Sequence, residues 1–323
     1  MASDVVIIGA GAMARAHHAA LRAAGVKPDV LGRGEASAAA FEAETGVRPS
    51  TGRLADQLAA RNGAPIRRAV IAAPVGALAE TCRQLLDAGA ERVLLEKPGG
   101  VDAGAVTALA RATGSDRVRI AYNRRFLTSV LAARAMIEAD GGVTSFLVEF
   151  NENIPAVRSL DAHGEAVKRN WFFANSTHVV DLAFFLAGAP QSLPEDFELH
   201  PIVRDGDAGP PPGGRYAGAG VCGGAAFAYH ADWSSAGRWG LEICTRERRL
   251  IFKPLETVSQ IRRGSFKMDP VSLEEEPDGV KPGLAAMLKA FLETPDDGAL
   301  LTLRAQADRL AAFAPMAGLE SDR

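Results

Sequence analysis

Two short motifs put chemistry-bearing residues where an α/β sheet can use them. Val5-Val6-Ile7-Ile8-Gly9-Ala10-Gly11-Ala12-Met13-Ala14 reads as a strand entering G-x-G-x-x-A, with a helical pattern directly behind it. In such a pattern Gly9 permits a tight turn, Gly11 lets a pyrophosphate approach the backbone, and Ala14 takes the close-packing position. The helix N-terminus then offers unpaired N–H groups and a positive dipole end to phosphate. The chemistry implied is dinucleotide binding. Roughly twenty residues further on, an acid commonly binds the ribose hydroxyls of NAD. Here Val30-Leu31-Gly32-Arg33-Gly34-Glu35-Ala36-Ser37 places an arginine instead. An arginine pairs with a 2′-phosphate through charge-assisted hydrogen bonds worth about 1.5–3 kcal/mol, so NADP(H) is expected over NAD(H). The competing reading leaves Arg33 solvated and lets Glu35 reach the ribose.

The second motif is Val93-Leu94-Leu95-Glu96-Lys97-Pro98. It sets a charged pair and a proline at the C-terminal end of an apolar strand, the edge at which open α/β sheets bind ligands. Desolvation and a neighbouring positive charge would lower the pKa of a lysine there toward the range of a general acid or base. Reduction of a carbonyl needs such a proton donor. The bland alternative is a surface lysine ahead of a helix-starting proline. A third group, Asn175-Ser176-Thr177-His178-Val179-Val180-Asp181, puts one histidine on an otherwise apolar helix, which read alone is a core histidine. Asp181 shares its face, three positions on, and is expected to orient the ring. Two ligands without a third make no metal site.

The elements that must position these residues fall into two halves. From Val5 to about Ala121, short apolar runs alternate with helical patterns of crossover length, which implies a parallel sheet covered on both faces. After Asn123 come a helix (Thr128 to Glu138), a strand (Thr144 to Asn151), an irregular stretch to Phe173 and a helix (Thr177 to Leu186). Alternating segments follow at Phe197 to Arg204, Gly218 to Ser234, Trp239 to Thr245, Arg249 to Lys253 and Thr257 to Arg262, joined by turns, so this sheet is expected to be mainly antiparallel. Asp205 to Gly220, with Pro210-Pro211-Pro212-Gly213-Gly214, reads as a loop. Two amphipathic helices, about Gly283 to Leu292 and Leu301 to Ala314, close the chain. The expected fold class is therefore α/β, with a doubly wound parallel, nucleotide-binding sheet over 1–122 and an α+β domain with a mainly antiparallel sheet over 123–323. A return of the C-terminal helix onto the first domain is left open.

Composition narrows the function classes. The 323 residues are 47% hydrophobic and 23% charged, with a formal charge of -3 from 36 basic and 39 acidic residues and no long like-charge run, so nucleic-acid binding by bulk charge has no support. No apolar stretch approaches the roughly 20 residues that span a bilayer, and the start lacks the basic region of a signal peptide. Three cysteines without a C-x-x-C pair fit a reducing compartment and exclude a cysteine zinc site, so a cytoplasmic location is expected, with no membrane partner and no metal.

Taken together, Gly9-Ala10-Gly11-Ala12-Met13-Ala14-Arg15-Ala16-His17, Glu96-Lys97-Pro98 and Tyr122-Asn123-Arg124-Arg125-Phe126 resemble the successive motifs of the glucose–fructose oxidoreductase, inositol dehydrogenase and MocA (Gfo/Idh/MocA) family. The resemblance implies that the first domain is a Rossmann domain and that the second domain's sheet is open. It also implies reversible hydride transfer at a carbon bearing oxygen, on a sugar, cyclitol or nucleotide sugar. It implies that Lys97 lies near substrate and nicotinamide as general acid/base, with the following proline often cis, and that His178 is the inward histidine of an active-site helix. Many sugar dehydrogenases of the family carry an aspartate four positions before that histidine, and here Ala174 stands there. The expected cofactor contacts are Gly9, Gly11, Ala12, Met13 and Arg33, together with Ser37, Pro74, Glu96 and Lys97. Asn123, Arg125, Arg169, Trp171 and Asn175 are expected to meet the carbohydrate-type substrate. His17 and His18 are read as packing or cofactor-contacting. The alternatives are a cofactor-binding regulatory or scaffold protein of the same fold, or reduction of an imine or linear tetrapyrrole. A homodimer or homotetramer is expected, because an open sheet face needs cover.

Overall fold

The computed structural model describes residues 2–114, 116–161, 163–206, 209–293 and 298–319. Its described residues divide into two compact units that are not contiguous in sequence: Met1–Gly100, Gly104–Asn123 and Glu276–Gln306 form one, and Val101–Ala103, Arg124–Glu275 and Ala307–Arg323 the other.

In the first unit the apolar runs become strands β1 (Val5–Ile8), β2 (Asp29–Leu31), β3 (Arg68–Ile71), β4 (Arg92–Leu95) and β5 (Val118–Ile120), all parallel. Between them run α1 (Ala12–Ala23), α2 (Glu35–Thr45), α3 (Leu54–Ala60), α4 (Leu78–Asp87) and α5 (Ala103–Thr113). Every residue of β1 and β4 is buried, as expected of strands covered on both faces. The spatial order is β5-β4-β3-β1-β2, so the winding reverses beside β1. Leu301–Thr302, expected to open the last helix, instead pair antiparallel with Ile120 and Arg119 and extend this sheet beyond β5.

In the second unit α6 (Thr128–Ala139) leads into β6 (Ser145–Phe150). The stretch expected to be irregular holds two short helices, α7 (Ile154–Arg158) and α8 (Glu165–Arg169), then a π turn over Phe172–Ser176 that runs into α9 (Thr177–Leu186). The remaining strands are β7 (Glu198–Gly206), β8 (Gly214–Cys222), β9 (Ala225–Asp232), β10 (Trp239–Cys244), β11 (Arg248–Phe252), β12 (Ser259–Arg262) and β13 (Met268–Pro270). They order as β13-β12-β11-β10-β6-β9-β8-β7, antiparallel except for the β6–β9 pair. Two helices follow, α10 (Leu284–Leu292), which clusters with the first unit, and α11 (Leu303–Phe313). Phe184 of α9 packs edge-on to Phe146 and Phe227 at 5.3 and 5.1 Å and stacks on Phe313 at 4.7 Å, which seats α9 on the inner sheet face.

Two expectations need correction here. Asp205 to Gly220 is a loop only at its centre: residues 209–213 lie in no strand or helix, but Asp205 and Gly206 end β7 and Gly214 to Gly220 lie within β8, while residues 207 and 208 fall outside the described set. Gly218 and Gly220 face Tyr229 and Phe227 across the β8–β9 pair. A Cβ at either glycine would come within 2.6 Å of the opposing ring, so the aromatics occupy the space the glycines leave. Gly218 to Ser234, read as one segment, is split by a two-residue hairpin at Gly223-Gly224, both at positive φ, with Cys222 paired to Ala225. Among the described residues no helix is long and apolar enough to cross a membrane.

Candidate functional site

The first unit builds a candidate phosphate cradle, a glycine turn entering a helix N-terminus, at the point where its strand order reverses. Gly9 leaves β1 with φ +118°, and a Cβ there would sit 2.4 Å from the Ala72 carbonyl oxygen at the end of β3. Only glycine fits that approach. Gly11 caps α1 with open space where a Cβ would point, no side chain caps the helix, and its first turn holds no acid. Gly11 and Ala12 are exposed, and Ala14 is fully buried against the fold. Met13 is half-buried, its sulfur 3.3 Å from the Lys281 ammonium. Among the described residues no side-chain anion caps these first-turn N–H groups, and this donor set fits a dinucleotide pyrophosphate. Pro74 is exposed beyond β3 and starts a turn of 3-10 helix.

Beyond β2, Arg33 and Ser37 are exposed, and the Ser37 hydroxyl donates to the Gly34 carbonyl at 3.0 Å. Glu35 is occupied: it accepts from the Thr51 hydroxyl and the Arg48 guanidinium, which in that order hold its carboxyl below the usual range. Arg33 makes no ion pair among the described residues.

Lys97 sits half-buried on a turn leaving β4. The Glu96 N–H donates to Ile71 C=O at 3.1 Å, continuing the β3–β4 pairing, and the Gly99 N–H closes the turn onto Glu96 C=O at 3.1 Å. The Lys97–Pro98 peptide is cis. The Gln306 amide donates to Pro98 C=O and to the Tyr122 hydroxyl, each at 3.0 Å. His17, fully buried on α1, donates from Nε2 to Glu96 at 2.7 Å. The helix whose N-terminus forms the cradle is thus tied to the residue beside Lys97. His18, by contrast, packs edge-on against Phe41 at 5.3 Å, and burial, then Arg22, pushes its pKa down.

The second unit holds a pocket of about 260 Å3 lined by Arg124, Asn151, Glu152, Arg238, Trp239, Pro254, Leu255 and Glu256. Its floor is Glu152, just past β6 and 6% exposed. The carboxylate accepts from Ser176 Oγ (2.7 Å), Trp239 Nε1 (3.1 Å), Trp171 Nε1 (3.1 Å) and Asn175 Nδ2 (2.9 and 3.1 Å). Burial pushes its pKa up, and the four neutral donors oppose that shift. The Arg124 guanidinium lies 4.8 Å over the Trp239 ring and pairs with Glu256 at 2.9 Å. On the other side, the Trp239 ring meets the His178 imidazole at 5.9 Å, tilted by 45°.

The expected substrate contacts separate. Trp171 and Asn175 gather on Glu152 with their polar atoms. Arg169 is exposed and pairs with Glu165 at 3.1 Å. Asn123 is buried in the first unit, its amide donating to Pro282 C=O at 3.0 Å. Arg125 is 1% exposed and gives a two-pronged bond to Asp181, 2.7 Å on each oxygen, so its guanidinium is committed to the core; its neighbour Arg124 is the one at the pocket. Asn123–Phe126 is a 3-10 turn, where successive side chains diverge by about 120°, and sequence alone does not say which arginine points in. Asp181 does not orient His178: it takes Arg309 as well, at 2.7 Å. Sequence reasoning also missed Glu152, Trp239 and Gln306, none of which lies in a motif; each is brought in by strand pairing or chain return. Among the described residues no cluster of three metal-ligating side chains occurs.

Residues 3–123 match the family model GFO_IDH_MocA, described as an oxidoreductase family with an NAD-binding Rossmann fold. Solved structures share the fold across the chain. An oxidoreductase from Thermotoga maritima is 16% identical with a TM-score of 0.73, covering 100% of this chain and 98% of that one. UDP-N-acetylglucosamine 3-dehydrogenase from Acidithiobacillus ferrooxidans is 18% identical with a TM-score of 0.71, covering 99% and 98%. Levoglucosan dehydrogenase in complex with NADH and levoglucosan is 18% identical with a TM-score of 0.71, covering 99% of each chain. No curated protein matches the chain by sequence comparison.

Proposed function

We propose, from the match of residues 3–123 to the Gfo/Idh/MocA oxidoreductase family model, that the protein is an oxidoreductase of that family and interconverts a sugar-type alcohol and its ketone with NAD(P)H. A bound nicotinamide supplies or accepts the hydride. Lys97 passes the hydroxyl proton, and His178 assists at the substrate oxygen. Asn175 and Trp171 belong to the substrate side through the wall they build around Glu152, and NADP(H) is the preferred cofactor through Arg33. The substrate is a sugar, cyclitol or nucleotide sugar; levoglucosan and UDP-N-acetylglucosamine, which the names of two structurally similar dehydrogenases carry, support that class. The observation that carries the reading is the anchoring of the Lys97 turn. Glu96 is held from α1 and β3, and Pro98 from α11's first turn, so the ammonium group is presented from a fixed backbone at the ligand edge of the sheet. A general acid is useful only when its position is set before the reaction. We further propose that copies of the chain associate through the outer face of the second unit's sheet.

The test is a spectrophotometric screen of NAD(P)H-linked turnover on levoglucosan, L-sorbose, UDP-N-acetylglucosamine and a panel of cyclitols and keto-sugars. On the alcohol that turns over, Lys97→Ala should lower kcat by on the order of 10²–10⁴ with cofactor affinity nearly unchanged. Turnover unaltered in Lys97→Ala would reject the assignment. Cofactor binding with no turnover across the whole panel would instead favour a regulatory protein.

A further inference from the structure

Glu152 is a buried carboxylate that the proposed reaction leaves without a task. Its four partners are all neutral N–H or O–H donors, and none of them is a cation. Five donated bonds on two oxygens use up the acceptor capacity of a carboxylate, so the group has nothing left to offer a ligand in the pocket. What it does hold is the surroundings of one histidine. Trp171, Asn175 and Ser176 belong to the turn that runs directly into α9, and Thr177 N–H reaches back to Phe172 C=O as a π turn requires. That extra residue rotates everything before Thr177 relative to the α-helix that follows. Such insertions need outside support, since they interrupt the regular i to i−4 ladder. Glu152 supplies it, drawing three side chains of the turn onto one point. Its fourth partner, Trp239 of β10, stands against the His178 ring at 5.9 Å. One carboxylate therefore fixes both the backbone immediately before His178 and the indole beside it.

We infer that Glu152 is the positioning residue of His178: by clamping the π turn and the Trp239 indole it sets where the imidazole stands. This rests on the proposed role of His178 in the reaction, but the geometry it describes is measurable without turnover.

The test joins kinetics to a direct view of the imidazole. Glu152→Gln keeps the size of the side chain but turns one of its two acceptor oxygens into an N–H donor, set either against Ser176 and Trp239 on the Oε1 side or against Trp171 on the Oε2 side. On the alcohol identified by the screen, it should lower kcat on the order of 10- to 100-fold, with little change in KM or cofactor affinity. In a His178→Ala background the same substitution should cost nothing more, because a group acting through His178 has nothing left to act on. Additive losses in the double variant would mean a general structural role and overturn the inference. Independently, NMR of isotope-labelled imidazoles, with His178 assigned by its loss in His178→Ala, should show the His178 signals displaced in Glu152→Gln and those of exposed His200 and His230 unmoved. Unmoved His178 signals would also overturn it. Should Glu152→Gln fail to fold, Ser176→Ala and Trp239→Phe each remove one donor to Oε1 and should give the same displacement at smaller size; no displacement in either has the same consequence as none in Glu152→Gln. Displaced signals in a protein that turns over no alcohol would leave the clamp standing and reject only the redox reading.

Discussion

Arg33 and Glu35 stand two residues apart beyond the second strand, and their surroundings differ in kind. Glu35 has its oxygens taken by Thr51 and Arg48, whose bonds keep it ionised and turned toward the 48–51 segment. To reach a ribose it would have to give up both partners. Arg33 is exposed and gives up nothing except water when it meets a phosphate. An exposed guanidinium that gains a charge-assisted bond to a 2′-phosphate adds about 1.5–3 kcal/mol, or roughly 10- to 100-fold in affinity. Arg33→Ala should therefore raise the KM for NADPH by that factor and leave the KM for NADH within about twofold, as read from initial rates with each cofactor. A ratio of the two constants that stays the same in the variant would remove Arg33 from cofactor selection and return Glu35 to consideration.

On α9, Asp181 was expected to orient the His178 ring and is instead bound to two arginines. The carboxylate sits between Arg125 and Arg309, 2.7 Å from each, and all three side chains are at most 2% exposed. Both guanidiniums also donate to carbonyls just after the helix: Ala189 and Gln191 accept from Arg309, and Pro190 from Arg125. That is the end of the helix with the negative dipole. The cluster locks α9 to the turn before α6 and to α11. Asp181→Asn removes the charge that both buried guanidiniums share and should cost about 3–5 kcal/mol. Arg309→Met keeps the two-pronged Arg125–Asp181 pair and takes donors from the Ala189 and Gln191 carbonyls, so it should cost less, about 1–3 kcal/mol. Urea unfolding midpoints check the order, and an Arg309→Met more damaging than Asp181→Asn would contradict the charge argument. The extent of α9 itself was legible, since Thr177–Leu186 is an apolar helix with a small-residue start. Its π turn and the partners of Asp181 were not, because i to i+3 spacing predicts neighbours along a helix and says nothing of arginines arriving from two other segments.

Across the whole molecule, legibility follows how local the determining contacts are. Strand after helix in the first unit could be read because β1 and the Val93–Leu95 part of β4 are continuous apolar runs, each followed by a helical pattern. The second unit's hairpins were harder, since Gly218 and Gly220 look like breakers until Tyr229 and Phe227 are known to cover them. The same sheet exposes a face that bears on assembly. Inward residues Phe146, Val148, Phe227 and Tyr229 are buried, while the outward ones at the centre of β8, β9 and β6 are Ala217, Ala219, Val221, Ala226, Ala228 and Leu147, with Leu147 39% exposed, and Ser145, Glu149, Arg215 and His230 stand on the same face around them. Register sets Ala219 opposite Ala228 and Leu147 beside it, forming a flat row of small apolar groups. An antiparallel sheet that faces water usually alternates to polar residues on that side, and here the centre of the face does not. A second sheet can lie against such a row at about 10 Å with no large side chain to bar it. Gel filtration with light scattering should then give a particle of two or four chains, and Ala228→Arg, which plants a charge at the centre of the row, should shift it toward one chain with the fold intact by circular dichroism. A native protein that already runs as a single chain at micromolar concentration would show that this face needs no cover.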